Sequence, residues 1–124
     1  MPKTEVTVTE RMTDYIDFAL LTDANEDGVP ESGINLSAID HIEMFRKDAA
    51  GSVDSFTSAG GTATLSFPTG FAAAGSVRWQ PGASDILASA QPYQCQFKVF
   101  VTASRYYYVP EDSRFTIKAL ERLG

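Results

Sequence analysis

The residues of this chain that could do chemistry are few and scattered. Asp23-Ala24-Asn25-Glu26-Asp27-Gly28 offers oxygen ligands at alternate positions ahead of a glycine. That matches the opening half of an EF-hand calcium loop, where a hard cation needs oxygen donors and a tight turn. The second half departs from the motif: the twelfth position is Ile34 instead of a bidentate glutamate, and Glu31 stands at the ninth. The stretch from Asp23 to Asp27 therefore reads as an acidic hairpin loop, with a weak calcium site that would stiffen the loop as the lesser alternative. His41 is the only histidine, and no serine sits in a G-x-S-x-G elbow, so a Ser-His-Asp triad has no support. One histidine and one cysteine are too few ligands for zinc. Gly60-Gly61 and Gly70 lack the lysine and the spacing of a phosphate loop. Glu111-Asp112 is a carboxylate pair inside a loop, whereas acid–base work needs such groups converging in a pocket. The expectation is a protein that is not an enzyme, with no catalytic residue, cofactor or metal.

The composition narrows the partners. The chain has 124 residues and a formal net charge of -6. A phosphate backbone is repelled by such a domain, and Arg46-Lys47 is only a pair, followed at once by Asp48. No nucleic acid is expected. Nor is a membrane: no apolar run approaches the roughly 18 residues that span a bilayer. The N-terminal stretch Met1 to Val6 lacks the apolar region of a secretory signal. With a single cysteine no internal disulfide can form, which fits a reducing compartment. The expectation is one domain over residues 1–124, made and kept in cytoplasm until it assembles.

The elements that would carry these residues are strands. From Tyr93 to Val101 every odd position is apolar, and the even ones are Gln94, Gln96, Lys98 and Phe100. Successive side chains of a strand point to opposite faces, so this run buries one face and wets most of the other. Thr102 to Arg105 breaks it, and Tyr106-Tyr107-Tyr108 begins a second run, the signature of a β-hairpin. Arg114 to Lys118 follows as another strand. Thr4 to Glu10 reads as an edge strand and Asp14 to Leu21 as a more apolar one. Three shorter candidates occupy Val53 to Thr57, Thr62 to Phe67 and Ser76 to Trp79. Residues 34 to 51 stay open: Leu36, Ile39, Ile42 and Phe45 recur at helical spacing with a Ser37/Asp40 capping box, yet Ile42 and Met44 alternate as in a strand. Seven to eight short strands with frequent turn signals favour an antiparallel β-sandwich of the immunoglobulin-like kind.

Cys95 falls in the buried register and reads as a small core hydrophobe. Tyr93, two residues before it, stands where immunoglobulin-type sandwiches place a tyrosine whose hydroxyl bonds back to nearby backbone. Phe100 falls opposite the core face, and alternation splits Tyr106, Tyr107 and Tyr108 between faces. Aromatics that cannot all be buried are candidate interface residues. An aromatic cross-strand ladder is the equal alternative.

The order of these features resembles a known family. Asp27-Gly28-Val29-Pro30 precedes Ile34-Asn35-Leu36-Ser37 and Ile42-Glu43-Met44-Phe45-Arg46-Lys47. Gly75-Ser76-Val77-Arg78-Trp79, Asp85-Ile86 and Pro92-Tyr93-Gln94-Cys95-Gln96-Phe97 follow, then Tyr108-Val109-Pro110 and Phe115-Thr116-Ile117. Over roughly residues 13 to 120 this is similar to the immunoglobulin-like N-terminal domain of phage baseplate upper proteins and related small tail modules. Gln91-Pro92 stands where a glycine usually precedes the tyrosine, and Glu31-Ser32-Gly33 is extra. Baseplate upper proteins continue into long further regions, so here the resemblance implies a free-standing module. It also implies that residues 39 to 47 form a strand. The function it implies is structural: a bacteriophage virion protein of the tail, baseplate or neck. Such a protein assembles with other virion proteins, and with copies of itself, in the host cytoplasm. A capsid decoration protein of the head and a carbohydrate-binding module at the host surface are the alternatives.

Overall fold

A computed structural model describes residues 5–22, 32–59, 64–109 and 114–123. The described chain is mostly β, in mixed sheets that form a sandwich-like arrangement. The centre of the larger sheet is the pair β5 (His41–Lys47) and β9 (Tyr93–Phe100). Along β9 the side chains of Tyr93, Cys95, Phe97 and Val99 are buried, as alternation predicts. β5 runs antiparallel in matching register: Ile42 opposite Val99, Met44 opposite Phe97, Arg46 opposite Cys95. The open choice at residues 34–51 is thereby decided for strand over His41–Lys47, with turns on either side. Helical spacing would have put Phe45 with Ile42, but the buried partners on β9 reward period two. The supposed helix cap is instead a local turn, in which Asn35 Oδ1 accepts from the Ser37 backbone N–H at 3.0 Å.

Beyond β5 lies β6 (Val53–Thr57) at one edge. On the other flank of β9, β10 (Tyr106–Val109) and β11 (Phe115–Leu120) share one edge, end to end. Val109 pairs with Phe97 and Phe115 with Cys95, so six positions along β10–β11 pass two along β9. β1 (Glu5–Thr9) closes this side, and here the expectation of an antiparallel sandwich needs correction. β1 runs parallel to β11, Glu5 opposite Thr116 through Thr9 opposite Leu120. A parallel pair needs a long crossover, and almost the whole chain intervenes between these two strands.

The second sheet orders β2 (Ile16–Ala19), β8 (Ser76–Trp79) and the two-residue β7 (Leu65–Ser66). Two further short strands, β3 (Leu21–Thr22) and β4 (Ser32–Gly33), pair with each other. The segment between β7 and β8 holds one helical turn, α1 (Phe71–Ala74). Gly75 ends it at φ 80°, and a Cβ there would lie 2.5 Å from the Ile34 nitrogen, so the close approach requires glycine.

The two sheets meet through aromatic contacts. Phe18 of β2 packs edge-on against Phe97 and Phe115, ring centres 5.1 and 5.3 Å away, and Phe56 of β6 lies 5.0 Å from Trp79 of β8. Buried side chains of both sheets form one cluster. Each fully buried aliphatic or aromatic member contributes about 1.5–3 kcal/mol relative to exposure. Arg46 is the only buried charged residue among the described ones. It donates to the Asp85 carbonyl and, at 2.9 Å, to Asp54 Oδ2, with its guanidinium 4.4 Å from the Tyr93 ring centre. Tyr93 in turn fixes the segment before β9: its hydroxyl accepts from the Leu87 N–H at 2.9 Å and faces the Leu87 carbonyl at 3.5 Å.

Candidate docking surface

The even side of β9 builds the outer face of the larger sheet. Register places Lys98 between Glu43 and Tyr108, and Phe100 between His41 and Tyr106. The hairpin that carries the tyrosines is tied by its own loop, where Thr102 Oγ1 accepts from the Arg105 N–H at 3.1 Å. Tyr106 and Tyr108 are 49% and 40% exposed. Their rings stand edge to face, 5.8 Å apart, and Phe100 lies 5.5 Å from Tyr106. Phe100 also stacks on His41, centres 4.2 Å apart and 13° from parallel. Tyr107 points to the other side, opposite Val99, and stays partly exposed; burial nevertheless raises its hydroxyl pKa. Three of the four sequence candidates thus converge on one face, and Tyr107 does not join them.

Lys98 completes the group. Its ammonium lies 3.8 Å from the centre of the Tyr106 ring, 4.9 Å from Phe100 and 5.9 Å from Tyr108. A cation over aromatic faces gains about 0.5–1 kcal/mol at an exposed position. Among the described residues no carboxylate comes within ion-pair distance of it. Glu43 is directly across the ladder, yet its Oε1 lies 3.6 Å from His41 Nε2. His41 Nδ1 meets Asp40 Oδ2 at 2.7 Å. Both imidazole nitrogens therefore face carboxylates, and neither is directed at a serine hydroxyl. Sequence reasoning weighed His41 only as a catalyst and passed over Lys98 and Glu43. Their even and odd positions would have placed all three on this face once β5 was taken as a strand.

The smaller sheet's outer face carries a comparable cluster that is closed. Arg78 lies 4.5 Å from the Tyr15 ring and 5.0 Å from Phe71, but both oxygens of Asp17 accept from its guanidinium at 2.9 and 3.1 Å. The Asp17 hydrogen bond, ahead of opposing burial, raises the Arg78 pKa. A cavity of about 110 Å³ opens between β1, β2 and β11, with Val6, Phe18 and Phe115 in its lining. Its two acids are engaged, Asp17 by Arg78 and Glu5 by Lys118 at 3.5 Å.

Cys95 is fully buried, and burial pushes its thiol up to about 12, against an opposing pull from Arg46. A thiol that holds its proton this firmly is a poor nucleophile. Among the described residues no three His, Cys, Asp or Glu side chains group as a metal site. The Asp23 to Asp27 loop, Gly60-Gly61 and Glu111-Asp112 lie outside the described residues. No described helix is long and apolar enough to cross a membrane. No protein-family model, curated protein or solved structure matches this chain.

Proposed function

We propose that this chain is an immunoglobulin-like β-sandwich that serves as a non-enzymatic structural component of a bacteriophage particle, in its tail, baseplate or neck. It acts by docking the outer face of its larger sheet onto a neighbouring protein. The observation that carries this reading is the set of exposed Tyr106 and Tyr108 and half-buried Phe100 gathered around the ammonium of Lys98, which meets no carboxylate among the described residues. Exposed aromatics around a cation are the composition of an interface centre, where rigid rings give large contact area at low entropic cost. The sequence resemblance supplies the phage assignment. One structural detail supports the immunoglobulin-like part, the Tyr93 hydroxyl bonded back to Leu87.

A glycan platform fits the same face less well. Sugars stack on flat, open ring faces, whereas Tyr106 and Tyr108 stand 80° apart and Lys98 covers the Tyr106 ring. The test is incorporation. Serine at Phe100, Tyr106 and Tyr108 together should leave a folded chain that is missing from purified particles. Normal incorporation of that variant sinks the reading. Copy number then separates tail from head: a dozen or so copies for a tail ring, hundreds for a decorated capsid.

A further inference from the structure

We infer that the neighbour which covers this face is a second copy of the same chain, related by a two-fold axis that runs along the strands midway between β5 and β9. The inference rests on the reading of this face as the docking surface and adds the partner. Its basis is one row of the sheet. Register lines up Thr57 of β6, Glu43 of β5, Lys98 of β9 and Tyr108 of β10 across the outer face. Rotation about the stated axis reverses that row. Each Lys98 then lies over the Glu43 of the other copy, and each Tyr108 over the other copy's Thr57. One row further on, Phe100 meets the other copy's His41, because these two residues are also paired in register.

The row is complementary to its own reversal in charge and in relief. It carries both signs, and within one chain they are not joined, since Glu43 turns to His41 at 3.6 Å and Lys98 has no described carboxylate partner. A face of one sign would suit a different, oppositely charged protein; an isologous contact needs both signs on one patch. The rings of β10 stand at one end of this row, and the outward residues of β6 at the other are Val53, Ser55 and Thr57, two of them small. Rings of one copy therefore settle on the low shelf of the other. The size suits a modest interface. The four strands that overlap about this axis, β6, β5, β9 and β10, spaced about 4.8 Å, and eight residues at about 3.3 Å each give a flat area of roughly 500 Å² before side-chain relief. A stable interface buries about 800 Å² of accessible surface per partner. The twist of each sheet turns two packed faces by about 30°, which displaces the central row least.

The test is sedimentation of the intact chain and three charge variants at up to about 100 μM, a range that also detects weak pairing. Salt at about 0.15 M screens the mutual repulsion of two acidic chains. The wild type should reach twice the 13.5 kDa of one chain. Lys98→Glu and Glu43→Lys each set like charges face to face twice per dimer and should weaken pairing on the order of 100-fold. The double swap, Lys98→Glu with Glu43→Lys, should restore the dimer, which a folding defect would not do. A monomeric wild type, single variants that still pair, or a double swap that stays monomeric each overturns the inference. A monomeric wild type whose ring-to-serine variant is still excluded from particles overturns self-pairing alone and leaves the face docking on a different protein.

Discussion

Truncation of Arg46 should be the most damaging single change to this fold. The side chain is 95% shielded in a sheet interior, between the rings of Tyr93, Phe56 and Trp79 at 4.4, 5.2 and 5.7 Å. Arg46→Ala removes a long stem from a close-packed site, a loss comparable to the 2–5 kcal/mol of large-to-alanine core changes, so about 3 kcal/mol here. It also strands the Asp85 carbonyl, to which the guanidinium donates, at about 1–3 kcal/mol more. The sum is about 4–6 kcal/mol, a large share of the roughly 5–15 kcal/mol that holds a domain. Arg46→Met keeps the stem and introduces no unpaired charge, so it should cost about 2 kcal/mol. Asp54→Ala should cost less than about 1 kcal/mol, because that carboxylate is 61% exposed and its ion pair is screened by solvent. Trp79, the single tryptophan and fully buried, reports unfolding in urea by its fluorescence. At a slope of about 1–3 kcal/mol per molar, Arg46→Ala lowers the midpoint by roughly 1.3–6 M. If Asp54→Ala is as harmful as Arg46→Ala, the exposed ion pair is what matters and the packing account is refuted.

Two further outcomes follow from the same interior. Tyr93→Phe keeps the ring under Arg46 but leaves the Leu87 N–H without its acceptor, and should cost about 1–2 kcal/mol in the same urea assay. Cys95 gives a pH dependence. Its thiol is raised by burial from 9.0 to about 12, so below the lower value both states hold the proton. Above it the unfolded chain releases the proton and the folded chain keeps it, and stability falls as pH rises. One such group contributes about 1.4 kcal/mol per pH unit over that window. Cys95→Ala should therefore flatten the decline between pH 9 and 12; an unchanged slope would mean the thiol titrates freely in the folded chain.

Period-two runs were readable because their cause is local. Tyr93 to Phe100 and Ser76 to Trp79 carry an apolar side chain at every odd position, and both are strands whose odd residues are buried. The same rule put Phe100 outside and divided the tyrosine triplet correctly. Two features escaped for different reasons. The partner of β1 could not be read, since nothing near Glu5 encodes its pairing with Thr116, more than a hundred residues away. Arg46 escaped because residue type outweighed position. Charged side chains belong to solvent as a rule, and the pair Arg46-Lys47 enters the sequence reading only as a basic pair too small to hold nucleic acid. Yet Arg46 shares parity with Ile42 and Met44, and parity prevailed because three rings surround the guanidinium and a carbonyl and a carboxylate accept from its two terminal nitrogens, leaving only Nε without an acceptor.

That outcome separates the two cations that flank the middle of the larger sheet. Arg46 lies on its inner side, opposite Cys95, and Lys98 on its outer side, opposite Glu43. Both sit among aromatic rings. The inner one has its hydrogen-bond acceptors within the chain, so its worth is realised on folding. The outer one has rings but no described acceptor, so most of its electrostatic attraction is still available to something outside. Loss of Arg46 should register in stability whatever the state of assembly. Loss of Lys98 should register in association and lower the stability of the monomer by no more than about 1 kcal/mol, the worth of its contacts with the rings. A Lys98 variant that unfolds as readily as an Arg46 variant would mean that the outer cluster serves the fold and not a partner.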